Sequence, residues 1–281
     1  MSAEQPFLTA SWTEMLMLNF AVPGDAIARL APPGTEPDFF DGQAYISVVG
    51  FTFRNARLFG IGFPGHSRFE EVNLRYYVRR EIGSTLRRGV VFVREIAPRP
   101  LVAATARWIY NESYVTRRMR NSVRLACASL AAGDAIDYEW RTGRGAKRHW
   151  NRMAGRAAVA PGLPEPGSLT EFIVEHYWAY VRTRDGGTAE YRVAHRPWRV
   201  APAESVVWNC DLAASYGDTP LAEYLAAPPV LAFVADGSPV QVFRGRRCEA
   251  ASSTVVVPSD KQHGKRIACL PLQRVDLHPP R

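Results

Sequence analysis

Hydrophobic and polar positions alternate along the first part of the stretch from Phe69 to Ile96, which reads FEEVNLRYYVRREIGSTLRRGVVFVREI. Taken as a strand, the segment from Glu70 to Arg80 sends Glu71, Asn73, Arg75 and Tyr77 to one face. Val72, Leu74, Tyr76 and Val78 fall on the other. An acid, an amide, a guanidinium and a phenol in one row are costly to bury without partners. The row therefore meets either water or a polar interior, and alternation alone leaves both open.

The same reading places further strands on both sides. Ser11–Phe20 is compatible with a buried strand, and Gln43–Phe53 is apolar on both faces, as a strand covered on both sides would be. Leu58–Phe63, Gly89–Ile96 and Leu101–Tyr110 read as strands, with a turn at Gly83-Ser84. Val123–Leu130 and Ala135–Thr142 flank a hairpin turn, and Val230–Val234 and Val240–Arg244 flank another at Asp236-Gly237. Leu169–Val181 (LTEFIVEHYWAYV) is dense in aromatics and is expected to be a strand, with His176 on one face beside Phe172, Val174, Trp178 and Tyr180. Helices are few: one from Asp25, expected as its N-cap, to Leu30, and one over Leu221–Ala226. Many closely spaced strands with Gly and Pro turns point to a mainly β fold, an antiparallel barrel or sandwich. Residues 12–247 are expected to form a single barrel domain, after an N-terminal lead-in over 1–11 and before a C-terminal tail over 248–281.

Composition narrows the function. The 281 residues carry 47% hydrophobic side chains and a formal charge of +8. The basic residues are spread along the chain, and all but Lys147, Lys261 and Lys265 are arginine. That spread argues against nucleic-acid binding. No apolar run reaches the length of about 18 residues that a membrane helix needs. MSAEQPFLTASW at the start lacks the basic and apolar regions of a secretory signal, so a cytoplasmic protein is expected. Cys127, Cys210, Cys248 and Cys269 are scattered, as are the six histidines, so neither disulfide nor metal is expected. There is no GxGxxG after a strand, no Walker loop, no HExxH and no GxSxG. No cofactor is expected.

The candidate chemistry lies in the alternating row. An arginine fork suits a carboxylate ligand, and a desolvated glutamate can carry a proton. Arg75, Asn73 and Tyr77 are the candidate ligand-binding residues and Glu71 the candidate acid or base. Arg107 and Tyr114 are further polar candidates, and Glu175 a possible second acid. A lone histidine among aromatics, such as His176, reads as a packed core residue, and His195 as a turn residue.

These stretches also carry a resemblance. FEEVNLRYYVRR, RRGVVFVREI, Asn111-Glu112-Ser113-Tyr114, EHYWAY and HRPW resemble the YqjF-like family of uncharacterised bacterial proteins, within the acetoacetate-decarboxylase-like superfamily. The resemblance runs from about Trp12 to Arg247 and centres on Glu-x-Asn-x-Arg-x-Tyr-Val, Glu71 to Val78. It implies a large antiparallel β-barrel with a cone-shaped interior, and it favours an inward-facing Glu71 row. It also makes Glu71 similar to the cavity glutamate of the decarboxylase. It does not bring the decarboxylase reaction, which forms an imine on a lysine: no lysine precedes Lys147, and arginine is a poor nucleophile. The expected partner is thus a small molecule, a carboxylate, with or without proton-transfer chemistry. The alternatives are non-enzymatic ligand binding and a filled barrel that serves protein interaction. Oligomeric state is left open by the sequence.

Overall fold

The computed structural model describes residues 5–62, 65, 67–100, 113–126 and 129–249. In chain order the strands are β1 (Leu8–Val22), β2 (Glu36–Pro37), β3 (Ala44–Leu58), β4 (Ile61–Gly62), β5 (Phe69–Ile82), β6 (Thr85–Ala97), β7 (Tyr114–Thr116) and β8 (Met119–Arg124). They continue with β9 (Ala135–Thr142), β10 (His149–Ala157), β11 (Trp178–Arg182), β12 (Thr188–His195), β13 (Val200–Asn209), β14 (Leu231–Val242) and β15 (Arg246–Arg247). Among the described residues three short α-helices accompany them: α1 (Gly24–Ala28), α2 (Leu169–Val174) and α3 (Leu212–Tyr216).

The fold is a mainly β barrel with a sheet wrapped on its outside. Strands β12, β11, β6, β5, β3, β1 and β14 follow one another by hydrogen bonding, and pairing of β12 with β14 closes the ring. Most neighbours are antiparallel, but β6 runs parallel to both β11 and β7. The strand β14 serves two sheets. Ala235, Val234 and Phe233 pair with β13, while Val240–Val242 pair with β12. From β13 the chain extends outward through β10, β9 and β8.

Alternation on the ring strands now has a physical meaning, because each face has its own core. Leu16, Leu18, Ile46, Val48, Val72, Leu74 and Tyr76 face outward and are covered by Ile136, Tyr138, Trp140 and Met153 of β9 and β10. Met15, Met17, Val49, Phe51, Phe69, Tyr77 and Phe233 face inward. Both faces of β3 are therefore buried, which its unbroken apolar run required. At Gly50 the outer sheet comes so close that an added Cβ would lie 2.7 Å from the Tyr138 ring.

Several local expectations differ from what the chain does. Leu169–Val181 is not one strand: α2 occupies Leu169–Val174, and β11 begins at Trp178. Ser168 accepts from the Glu171 amide at 3.2 Å, and the Glu171 carboxylate accepts from the Gly167 amide at 2.7 Å. This pair of caps fixes the helix start. His176 consequently sits in the connection between helix and strand, not on a strand face. Asp236-Gly237 is not a hairpin but lies within the continuous strand β14, paired in unbroken register with β1, and Gly237 sits at φ +74° where a Cβ would collide with the Trp12 carbonyl. Asp25 lies inside α1, after its N-cap Pro23, and pairs with Arg29. The expected short strand from Leu58 is the end of β3, returned by β4 at Ile61. The Leu101–Tyr110 segment and most of the 248–281 tail lie outside the described residues. Among those described, no helix is long and apolar enough to cross a membrane.

Candidate functional site

On β5 the odd-numbered row points into the ring. Phe69 and Tyr77, at the two ends of that parity, belong to the inner core, and Glu71, Asn73 and Arg75 between them are 2%, 2% and 7% exposed. The costly face is therefore buried, and its partners decide what it can do.

The row divides into two halves. At Glu71, the Tyr114 hydroxyl donates to Oε2 at 2.6 Å and Asn73 Nδ2 donates to Oε1 at 3.1 Å. Burial pushes the Glu71 carboxyl up to about 7, against the pull of those two donors. Glu95 arrives on β6 directly across from Asn73 and is also buried. Burial, then the charges of Glu71 and Glu95, push the Tyr114 phenol well above its ordinary value. Glu71 is thus a carboxyl poised near neutrality in an acid-rich corner, able to hold or give up a proton. Asn73 Oδ1 has no hydrogen-bond partner among the described residues.

Arg75 turns the other way. Its Nε lies 3.4 Å from the Tyr77 hydroxyl, its Nη2 lies 3.9 Å from the Met17 sulfur, and its Cζ stands 5.5 Å from the Tyr77 ring centroid. Among the described residues no carboxylate forms an ion pair with it. Glu71 and Arg75 do not pair with each other. Tyr77 is itself tied down, since its hydroxyl shares a 2.5 Å hydrogen bond with Ser47, which donates to Asn19 at 2.5 Å.

Two histidines complete this half. His176 packs on the Tyr77 ring at 4.7 Å and on Phe172 at 5.1 Å. Its Nε2 lies 3.2 Å from Asp38 Oδ2, and Arg88 holds that same oxygen at 2.7 Å. Burial draws the His176 imidazole down to about 4, Asp38 notwithstanding, and the nearby Arg88 and Arg75 charges act in the same direction. Burial alone would raise Asp38, but its bonds to His176 and Arg88 hold it low. The imidazole is therefore neutral at pH 7, and Arg88 supplies the charge that balances Asp38. His195, at the end of β12, stacks on Trp198 at 4.2 Å and is likewise drawn down to about 4 by burial.

Of the residues expected from the sequence, Glu71, Asn73, Arg75, Tyr77 and Tyr114 lie together in the ring interior. Arg107 lies outside the described residues. Glu175 accepts from Tyr177 at 2.6 Å and does not join the interior acids. Glu95 and the Asp38–His176 pair were not foreseen. Lys147 is exposed in a 3-10 turn between β9 and β10, on the outer sheet. A groove of about 270 Å³ on the outer face, lined by Leu30, Tyr76, Val91 and Arg182, brings no acid and base together. Among the described residues no three His, Cys, Asp or Glu side chains converge as metal ligands would.

The model of the DUF2071 family, described as an uncharacterized conserved protein, matches residues 9–239. The chain belongs to DUF2071. Among its curated relatives, the uncharacterized protein YqjF of Bacillus subtilis (strain 168) is 28% identical over 227 residues, covering 79% of this chain and 88% of YqjF. Solved structures share the fold at low identity. An acetoacetate-decarboxylase-like enzyme from Sphingomonas wittichii RW1 is 12% identical with a TM-score of 0.58, over 88% of this chain and 94% of that one. The enduracididine biosynthesis enzyme MppR, solved in complex with pyruvate, is 15% identical with a TM-score of 0.57, over 89% and 93%. This DUF2071 chain thus has the acetoacetate-decarboxylase-like fold, and at such identities the likeness concerns the fold alone.

Proposed function

We propose that this DUF2071 protein binds a small organic carboxylate inside its ring, with the carboxylate on Arg75 and Glu71 positioned for proton transfer. The observation that carries this reading is the Arg75 guanidinium: buried, lacking an acidic partner among the described residues, and held only by a long contact to Tyr77 and one to Met17. A desolvated cation without a counter-charge costs several kcal/mol. A bidentate carboxylate would meet both its charge and its geometry. Asn73 and Tyr77 orient the molecule along the row. Glu71 stands four residues from Arg75 along the strand, roughly 13 Å by Cα, so a ligand reaching from one group to the other needs a backbone of several atoms. MppR, a protein of the same fold, was solved in complex with pyruvate, itself a small carboxylate.

Imine chemistry is not part of the proposal: no lysine stands on the ring strands among the described residues, where the one lysine, Lys147, lies in the turn between β9 and β10. The test is titration of the purified chain with a panel of two- to six-carbon carboxylates, read by calorimetry and by melting temperature. Binding that disappears in Arg75→Met supports the reading; saturable binding that survives it overturns the assignment. Glu71→Gln separates the roles, since it should retain binding and lose turnover if Glu71 moves the proton.

A further inference from the structure

His176 is not explained by packing alone. Its side chain is 1% exposed, and Nε2 faces a carboxylate that Arg88 also binds. Facing that acceptor, Nε2 carries the ring proton, and Nδ1 is left with a bare lone pair. Nδ1 has no hydrogen-bond partner among the described residues. A buried acceptor left without a donor is an open demand that a folded chain normally meets. The ring stands on the same Tyr77 phenol as the Arg75 guanidinium, and the Arg75 charge reaches it.

We propose that His176 is the specificity-determining residue of the Arg75 site: its Nδ1 accepts a hydrogen bond from a ligand hydroxyl, so the ligand class is a hydroxy acid rather than the corresponding oxo acid. This deepens the carboxylate reading above and rests on it. Asp38 is the positioning residue, because its carboxylate fixes the tautomer that leaves Nδ1 as an acceptor. A hydroxyl beside the carboxylate donates to that lone pair. A ketone oxygen in the same place would set one lone pair against another, and such a mismatch is a strong basis for rejection. A bound water would satisfy Nδ1 equally but would give no discrimination between the two acids.

The experiment measures Kd by calorimetry for matched pairs: lactate and pyruvate, 3-hydroxybutyrate and acetoacetate, 2-hydroxyglutarate and 2-oxoglutarate. The hydroxy member of at least one pair should bind about ten-fold or more tightly. In His176→Phe, which keeps the ring packing and removes the acceptor, that ratio should fall to about one while Arg75-dependent binding remains. His176→Asn, whose side-chain oxygen can replace Nδ1, should restore part of the preference, and it decides the matter if the Phe variant does not fold. Arg75-dependent binding with no hydroxy preference in the unaltered protein overturns the role of His176 and leaves the carboxylate reading standing. Absence of any Arg75-dependent binding overturns both.

Discussion

Replacing Arg75 by Met should make the ligand-free protein more stable while removing its ability to bind an anion. Methionine has nearly the length of the arginine stem and no charge, so the inner core keeps its packing. The guanidinium gives up only weak interactions: a 3.4 Å approach to Tyr77, a 3.9 Å approach to Met17 sulfur, and a cation–π interaction at 5.5 Å. The last is the largest, at about 0.5–2 kcal/mol. Against this stands relief of the desolvation of a buried ion, several kcal/mol. The net expectation is a gain of about 1–3 kcal/mol, and each kcal/mol should raise Tm by about 2–4 °C for a chain of this size. Urea denaturation of the two proteins without ligand, at equal m-value, measures the difference directly. The same variant should show no ligand-dependent rise in Tm, which in the unaltered protein grows with the logarithm of saturation. A Met variant less stable than the parent by about 1 kcal/mol or more would refute the reasoning, since it would mean that the guanidinium is well satisfied in the apo state.

Other perturbations reach the same ring. Glu71 has its folded value raised above the unfolded value of about 4.3, so the unfolded chain gives up its proton first and stability falls as pH rises from there through about 7. Glu71→Gln removes this loss: Asn73 can turn its unpartnered Oδ1 to the new amide, and the variant's stability advantage should be larger at pH 8 than at pH 5. Equal differences at both pH values would contradict the raised carboxyl. Gly89→Ala should cost about 1–3 kcal/mol, because its Cβ would lie 2.6 Å from the Tyr180 ring and 2.7 Å from the Trp178 carbonyl oxygen, where β6 meets β11. Denaturation midpoints unchanged by that substitution would mean the seam is looser than its geometry. Glu190→Gln leaves Arg80, Arg87 and Arg246 without their common carboxylate, which is buried, and should cost about 3–5 kcal/mol; a cost under about 1 kcal/mol would make the cluster a surface one in energetic terms.

The site was legible where it follows a single strand. Glu71, Asn73, Arg75 and Tyr77 keep strict alternation because β5 has no bulge within the row, and period two transmits directly into facing. Glu95 was hidden by a bulge. The register passes from Leu74–Arg94 to Arg75–Phe92, skipping Val93, and that extra residue reverses the parity of β6, so Glu95 enters the ring beside Glu71. Tyr114 reaches Glu71 through a parallel pairing of β7 with β6, a long-range contact that no local pattern carries. The aromatic density of 169–181 masked a helix whose signal, Ser168 followed three residues later by Glu171, was present. Asp236-Gly237 carries hairpin chemistry, but β1 pairs along both halves of β14 and holds the two in one line. His176 gains its meaning only from Asp38, which lies far away in the chain.

The seam between β6 and β11 bears on the order in which the chain folds. Only Gly89–Trp178 and Val90–Ala179 pair there, and they pair in parallel. The two strands lie far apart in the chain, with β7, β8, β9 and β10 between them. Glu190, drawing Arg80 of β5, Arg87 of β6 and Arg246 of β15 together, rivets the join once it forms. Contacts so distant in sequence are slow to find one another. Closure is therefore a late event in refolding, and until it occurs β6 offers a bare edge to other copies of the chain. Dilution and short dwell times in denaturant should govern the refolding yield more than any single core contact.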